Sequence, residues 1–141
     1  MIFKNLDDFK VRFYFDEQDK NSWVELLFIT DEMTALAHKK YIKNVVEYQV
    51  NPKSERLERL PFRDADTEAL RDWSVTTGIS DWSGLQWEDG TEIPCTDENK
   101  LKLYLNQPAF KEFADESWIK LREMAKEKFG GGSEEKNSLS M

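Results

Sequence analysis

Apolar and polar residues alternate along the first part of the chain in the way that a β-strand requires. Four apolar residues occupy every second position: Phe9, Val11, Phe13 and Phe15. After a polar loop at 16–22, residues 23–29 form another apolar and partly β-branched segment. A loop of this length suits an antiparallel connection. The pattern therefore predicts an N-terminal β-hairpin.

A helix is predicted to follow the hairpin, because Thr30 can cap it and Asp31 and Glu32 suit its first turn. Its apolar stripe comprises Met33, Leu36, Ala37, Tyr41, Val45 and Tyr48. The end of the helix stays open, because Val46, Tyr48 and Val50 also alternate like a strand. Residues 52–61 are charged and contain two prolines, which predicts an exposed connector.

Helical spacing returns after the connector. Asp64 or Asp66 can cap a helix whose Ala69, Leu70 and Trp73 face inward. Gly78 is predicted to end this helix, because glycine is favoured at the position just after a helix.

A turn-rich segment then leads into two more helices. Trp82 and Leu85 flank Gly84 as apolar anchors, and Gly90 can take a positive φ in a tight turn. Thr96 is a good N-cap for a short helix over residues 97–106.

The longest predicted helix runs from Pro108 to about Phe129, since proline is favoured in a first turn. Seven residues fall on one face of this helix: Phe110, Phe113, Ala114, Trp118, Leu121, Met124 and Ala125. We interpret this stripe as core.

These elements predict an α+β fold, with an N-terminal antiparallel β-hairpin, a mostly α-helical body and a long C-terminal helix. Residues 1–129 are expected to form a single globular domain. Residues 130–141 begin with three glycines and continue with polar and charged residues, which predicts a flexible tail.

Composition and charge narrow the class of protein. Charged residues make up 34% of the chain and hydrophobic residues 39%, as in globular proteins. The net charge of −8 argues against non-specific nucleic-acid binding. No apolar run approaches the length of a membrane span, and the N-terminus does not resemble a signal peptide. A single cysteine, Cys95, favours a reducing compartment.

The chain has little catalytic chemistry to offer. It contains one histidine and one cysteine, and it lacks phosphate-binding, dinucleotide-binding, hydrolase and redox motifs. Close carboxylate pairs carry little weight, because 28 acidic residues produce them by chance. We therefore expect no enzyme, no cofactor, no metal site and no small-molecule ligand.

One basic cluster interrupts the acidic chain. Lys39, Lys40 and Lys43 lie close together in sequence, and Tyr41 lies among them. The simpler interpretation is a solvated helix face, and the functional one is a docking face for an acidic partner. We select these four residues, together with Trp87 beside the predicted turn, as candidate partner-binding residues.

An ordered set of motifs over about residues 81–113 resembles the tail assembly chaperones of tailed phages. In sequence terms the set is W-x-G-apolar, D-G, P-x-T-x-E-N and P-x-F-x-x-aromatic. The matching positions are Trp82, Gly84, Leu85, Asp89, Gly90, Pro94, Thr96, Glu98, Asn99, Pro108, Phe110 and Phe113. The set is moderately specific, whereas each motif alone is weak.

The resemblance implies a protein that binds the long, apolar, helical tape-measure protein. Such a chaperone keeps its partner soluble until tail-tube subunits polymerise around it, and tail-tube protein is a second expected partner. The expected location is the cytoplasm of the bacterial host, with absence from the mature virion. Self-association is expected if copies line up along one extended partner.

Two alternatives come from other classes of function. The acidic charge also fits an inhibitor that mimics DNA, although 20 lysines and arginines are interspersed among the acids. A structural tail protein that stays in the virion is the other. The family often adds a second domain by a frameshift, and the glycines at 130–132 suit such a junction.

Overall fold

The computed structural model describes residues 1–2 and 8–129, so the predicted tail at 130–141 lies outside the described residues. In chain order the elements are β1 (Lys10–Tyr14), β2 (Trp23–Leu27), α1 (Asp31–Lys40), β3 (Ile42–Val50), β4 (Leu57–Ala65), α2 (Thr67–Gly78), β5 (Ile79–Ser83), α3 (Asp97–Asn106) and α4 (Pro108–Phe129). The α+β class, the N-terminal antiparallel hairpin and the long C-terminal helix are confirmed.

The described chain divides into two compact units. One unit takes the chain before Asp31 and after Trp73, and the other is Asp31–Trp73. The boundary falls inside α2, whose later residues belong to the first unit. A single domain over residues 1–129 stays a prediction, because compact units of this size can still unfold together.

The first unit is built on a three-stranded antiparallel sheet in the order β1-β2-β5. Val24 and Leu26 of the central strand are fully buried, because strands on both sides and the helices cover them. Val24 pairs with Trp82, and Leu26 pairs with Ile79. The register shifts between Glu25 and Leu26, because β5 carries one extra residue, Ser80, at a β-bulge.

The core joins the inner face of this sheet to α2, α3 and α4. Its buried members are Val24, Leu26, Val75, Ile79, Trp82, Ile93, Leu103, Phe110, Ala114 and Leu121. The indole nitrogen of Trp82 donates to the backbone carbonyl of Ile93 at 2.7 Å, so this large ring is buried without an unpaired donor. The predicted apolar stripe of the last helix is confirmed as core, with Ala114 and Leu121 almost completely covered.

The turns and caps between β5 and α3 form as the sequence predicts. Gly84 and Gly90 both have positive φ angles, 77° and 87°. Asp89 closes the second turn, because its carboxylate accepts from the backbone and the hydroxyl of Thr91. These bonds lower the pKa of Asp89. Thr96 caps α3 by accepting from the backbone nitrogen of Asn99 at 3.2 Å.

The predicted helix after the first hairpin is too long. It ends at Lys40, and Val45 and Tyr48 belong to β3. The β-branched residues from Ile42 onward favour extended backbone, and a partner strand supplies the hydrogen bonds that the helix would have made. Leu36 was assigned to the buried stripe, but it is 59% exposed.

The predicted connector at 52–61 is also wrong over its second half. Leu57–Ala65 forms β4, which pairs with β3 along nine residues of each strand. Proline at position 61 argued against a strand. A two-stranded sheet tolerates it, because each strand has one edge that needs no hydrogen-bond partner within the sheet.

Gly78 ends α2 for a different reason from the one predicted. Gly78 is the last residue of the helix and does not have a positive φ. Among the described residues, the glycines with a positive φ are Gly84 and Gly90. A Cβ on Gly78 would lie 2.7 Å from Cζ2 of Trp118. Glycine is therefore required by the close packing of the indole ring. The predicted cap of α2 is correct, since Asp66 accepts from the backbone nitrogen of Ala69.

A polar group between α3 and α4 predicts how stability depends on pH. The Tyr104 hydroxyl donates to Asp115 at 2.7 Å, and Lys111 pairs with the same carboxylate at 2.8 Å. Burial and the bond to Asp115 raise the pKa of Tyr104, and the bond to Asp115 raises the pKa of Lys111. Both shifts favour the protonated forms in the folded state.

We therefore expect these groups to contribute a constant stabilisation below about pH 10, and the free energy of unfolding to fall as the pH rises above that value. Tyr104→Phe should make this decline shallower while leaving the part that comes from the pairing of Lys111 with Asp115. Urea unfolding at a series of pH values checks the prediction. Identical pH dependence in the variant and the original chain would contradict it.

Candidate partner-binding surfaces

The β3–β4 hairpin exposes more apolar surface than a two-stranded sheet can cover. Tyr48, Val50 and Leu57 are 64%, 61% and 68% exposed. Ile42, Val46, Leu60 and Phe62 are also classed among the exposed large hydrophobic residues. Single exposed apolar residues are ordinary, whereas seven of them on one hairpin mark a surface for interaction.

The register separates the hairpin into two faces with different chemistry, because side chains alternate along a strand and paired residues share a face. We call the first the arginine face: Ile42, Asn44, Val46, Tyr48 and Val50 of β3 with Leu57, Arg59, Pro61, Arg63 and Ala65 of β4. We call the second the acidic face: Lys43, Val45, Glu47 and Gln49 of β3 with Glu58, Leu60, Phe62 and Asp64 of β4. The arginine face has no carboxylate, and the acidic face has three.

An open depression of about 360 Å³ lies on the hairpin. Five of the residues that line it belong to the arginine face (Asn44, Val46, Arg59, Pro61 and Arg63), and the other two, Val45 and Phe62, are a pair from the acidic face. Both arginines are exposed, and neither makes an ion pair with a carboxylate among the described residues. This part of the hairpin therefore offers apolar contact and cationic donors side by side.

The structure separates the lysines that the sequence grouped together. Lys39 and Lys40 lie exposed in the last turn of α1, where they complement the negative end of the helix dipole. Lys43 lies on the acidic face of the hairpin opposite Asp64. These positions fit the simpler interpretation of solvated charges.

Tyr41 lies at the junction between α1 and β3 and is half-buried. Its backbone nitrogen donates to Ala37, and its backbone carbonyl accepts from Asp66. The Lys40 ammonium lies 5.3 Å from the centre of the Tyr41 ring. The residue therefore has clear structural contacts within its own unit, and its role in binding a partner stays a prediction.

Trp87 belongs to the first unit and lines a second surface. Its backbone pairs with Thr91 across the tight turn, and its half-buried ring packs against the core. The Lys102 ammonium lies 5.0 Å from the centre of the ring. A groove of about 390 Å³ beside the ring is lined by Phe15, Leu85, Trp87, Ile93, Leu103 and Phe110, with four further residues. Its role in binding also stays a prediction.

Cys95 is a poor nucleophile in this fold. It is half-buried and packs against the core. Burial raises the pKa of Cys95 to about 11, so the thiol stays protonated at neutral pH.

Residues 1–2 and 8–129 contain neither a candidate metal-binding cluster nor a helix suited to span a membrane. These residues contain no group of three or more histidine, cysteine, aspartate or glutamate side chains that could hold a metal ion. None of the helices in the same ranges has the length and apolar character needed to cross a membrane.

Arg59, Arg63 and the apolar residues around them are not among the partner-binding residues predicted from the sequence. The signal was present, because Leu57, Arg59, Pro61 and Arg63 lie at alternate positions and share one face of a strand. The two prolines and the high charge of residues 52–61 masked that alternation.

The fold is that of an α+β protein with a three-stranded antiparallel sheet and a separate, exposed two-stranded hairpin. Comparisons of the chain with protein-family models, curated proteins and solved structures found no match.

Proposed function

We propose that this protein is a tail assembly chaperone of a tailed phage, which binds the tape-measure protein and keeps it soluble during assembly. The motifs at residues 81–113 are the origin of the proposal. In the structure many of those positions are structural, since Gly84, Gly90 and Thr96 form turns and a cap. The motifs therefore support a shared scaffold, and the binding surface must be argued separately.

The observation that carries the proposal is the apolar exposure of the β3–β4 hairpin. A protein that keeps an apolar chain soluble needs apolar side chains in reach of its partner while it stays soluble itself. The hairpin supplies such side chains, with Tyr48 and Leu57 among the most exposed. The net charge of −8 favours solubility and repulsion between loaded complexes.

Co-expression with the tape-measure protein encoded in the same genome tests the proposal. We expect the tape-measure protein to be soluble and to co-purify with this chain, and to be insoluble when expressed alone. The double variant Tyr48→Ser/Leu57→Ser should lower the amount of soluble partner several-fold, because it removes two large apolar contacts.

Ile119→Ser is the matched control for this experiment. Ile119 is 55% exposed on α4, so Ile119→Ser replaces an exposed apolar side chain with the same polar residue outside the hairpin. It should leave the yield of soluble partner unchanged. An insoluble tape-measure protein with no retained complex would refute the chaperone proposal, and presence of this chain in purified virions would favour a structural tail protein instead.

A further inference from the structure

We propose that the arginine face of the β3–β4 hairpin is the docking face, and that it takes a protein segment combining apolar side chains with carboxylates. The inference rests on the proposed function, because it assigns the part of the chaperone that the tape-measure partner contacts. It adds a defined face and a defined partner chemistry. Arg59 and Arg63 are the residues that set the charge of that partner.

The arginine face exposes apolar side chains on a hairpin that has only two strands. Val46, Tyr48, Val50 and Leu57 all lie on the arginine face and are exposed. A two-stranded sheet is only marginally stable in water, and a second layer packed on its apolar face stabilises it. A bound segment would therefore gain affinity by burying surface that the hairpin leaves in water.

The surroundings of Arg59 and Arg63 on this face contain no carboxylate. Each residue of this face that carries a charge at neutral pH is an arginine. Among the described residues, no carboxylate pairs with Arg59 or Arg63. Guanidinium groups beside apolar surface bind carboxylates through paired, charge-assisted hydrogen bonds. A segment without acids would leave both cations desolvated and unpaired, which is costly.

The opposite face is unsuited to the same segment. Glu47, Glu58 and Asp64 give it three carboxylates against the single cation of Lys43. An acidic segment would meet like charges there. The two faces of one hairpin therefore discriminate between orientations, since the attractive charges lie on one side and the repulsive charges on the other.

The spacing of the arginines gives the partner a length scale. Arg59 and Arg63 are four residues apart on β4, which corresponds to about 13 Å along the strand. A helix lying along the strands presents two carboxylates on one face when they are seven or eight residues apart, which corresponds to about 11–12 Å and is close to the separation of the arginines. The favoured partner is therefore an amphipathic helix with an apolar stripe and acids about seven or eight residues apart beside it.

A second copy of this chain is a poorer occupant of the face. A two-fold interface places the same patch on both sides, so the arginines of both copies would be brought into one interface that contains no carboxylate. Like charges in such an interface repel each other. A foreign segment that brings its own acids avoids this cost.

The test compares Arg59→Glu with Lys43→Glu. The two substitutions make the same change in charge on the same hairpin, but on opposite faces. The probe is a labelled synthetic amphipathic helix of about 20 residues, carrying leucines on one stripe and glutamates about seven or eight residues apart beside it. Fluorescence anisotropy measures its binding, and a peptide with lysines in place of the glutamates is the counter-probe.

We expect the acidic peptide to bind the original chain at least about tenfold more tightly than the basic peptide. Arg59→Glu should weaken its binding about tenfold, Arg59→Glu/Arg63→Glu should weaken it further, and Lys43→Glu should weaken it much less. Affinity should also fall as salt is raised. Circular dichroism confirms that the hairpin variants keep the fold, and Arg59→Gln supplies a milder change if a reversal does not fold.

Equal binding of the two peptides, or equal loss in Arg59→Glu and Lys43→Glu, would overturn the inference. A concentration-dependent dimer that Tyr48→Ser abolishes, without peptide binding, would overturn it in favour of a second copy.

Co-expression separates the docking-face proposal from the chaperone proposal. If the tape-measure protein is retained equally by the original chain and by Arg59→Glu/Arg63→Glu, the docking face is wrong and the chaperone function stands. If the acidic peptide binds but the tape-measure protein is not retained, the face stands and its partner is another protein.

Discussion

Gly84→Ala is expected to destabilise the first unit by about 3 kcal/mol, through two separate costs. Gly84 has a φ of 77°, a conformation that costs an L-residue about 1–2 kcal/mol. A Cβ at this position would also lie 2.5 Å from the backbone oxygen of Asn21. The Ser22 hydroxyl, which donates to the carbonyl of Gly84, lies equally close, so the loop between β1 and β2 would have to move.

Gly90→Ala is the matched control. Its φ is 87°, but nothing lies within 4 Å of the Cβ that it would acquire. We therefore expect only the conformational cost, about 1 kcal/mol. Chemical denaturation of the three proteins measures both values. Equal destabilisation by the two substitutions would show that the close approach of the loop at Gly84 contributes nothing.

Leu121→Ala should destabilise the protein by about 2–5 kcal/mol, because it removes a fully buried side chain from the middle of α4. Leu121 is 1% exposed and belongs to the core between the sheet and the helices. The alanine would leave a cavity in the packed core, because the surrounding side chains relax only partly into the space. Thermal unfolding followed by circular dichroism measures the loss.

Ile119→Ala provides the comparison on the same helix. Ile119 is 55% exposed, so its truncation should cost about 0.5 kcal/mol or less. The two substitutions remove similar apolar volumes from positions two residues apart. If both variants unfolded at the same temperature, the assignment of the buried face of α4 would be wrong.

The elements predicted correctly from the sequence are those that depend on residues close together in the chain, such as helix caps, turn residues and helical periodicity. Residues 97–106 and 108–129 form helices with the predicted bounds, because Thr96 caps one and Pro108 begins the other. The apolar residues of α4 recur with the helical period of 3.6 residues, because the core covers one continuous face of the helix. The turn at Gly90 also depends on neighbours in sequence.

The elements that were missed depend on partners far along the chain. Ile79–Ser83 contains two serines and an aspartate, and it is a strand because β2 pairs with it from more than 50 residues away. Local pattern cannot show such a pairing. The switch from α1 to β3 likewise depends on β4, because residues 42–50 fit a helix or a strand until a partner strand is present.

The candidate docking face follows the same logic. Its residues come from two strands, and only their register shows that Arg59 and Arg63 share a face with Tyr48. The sequence instead indicated Lys39, Lys40 and Lys43, which lie within five residues of one another and therefore resemble a basic patch. In the structure the helix end and the opposite face of the hairpin separate them.

The division of the chain has a consequence for how the protein can evolve. All ten residues of the buried core cluster lie before residue 31 or after residue 73. Selection for a well-packed core therefore bears on those flanking segments and leaves the intervening sequence free to change with its partner. Homologous chains should diverge fastest between residues 31 and 73, and matching changes should appear in the proteins that they bind.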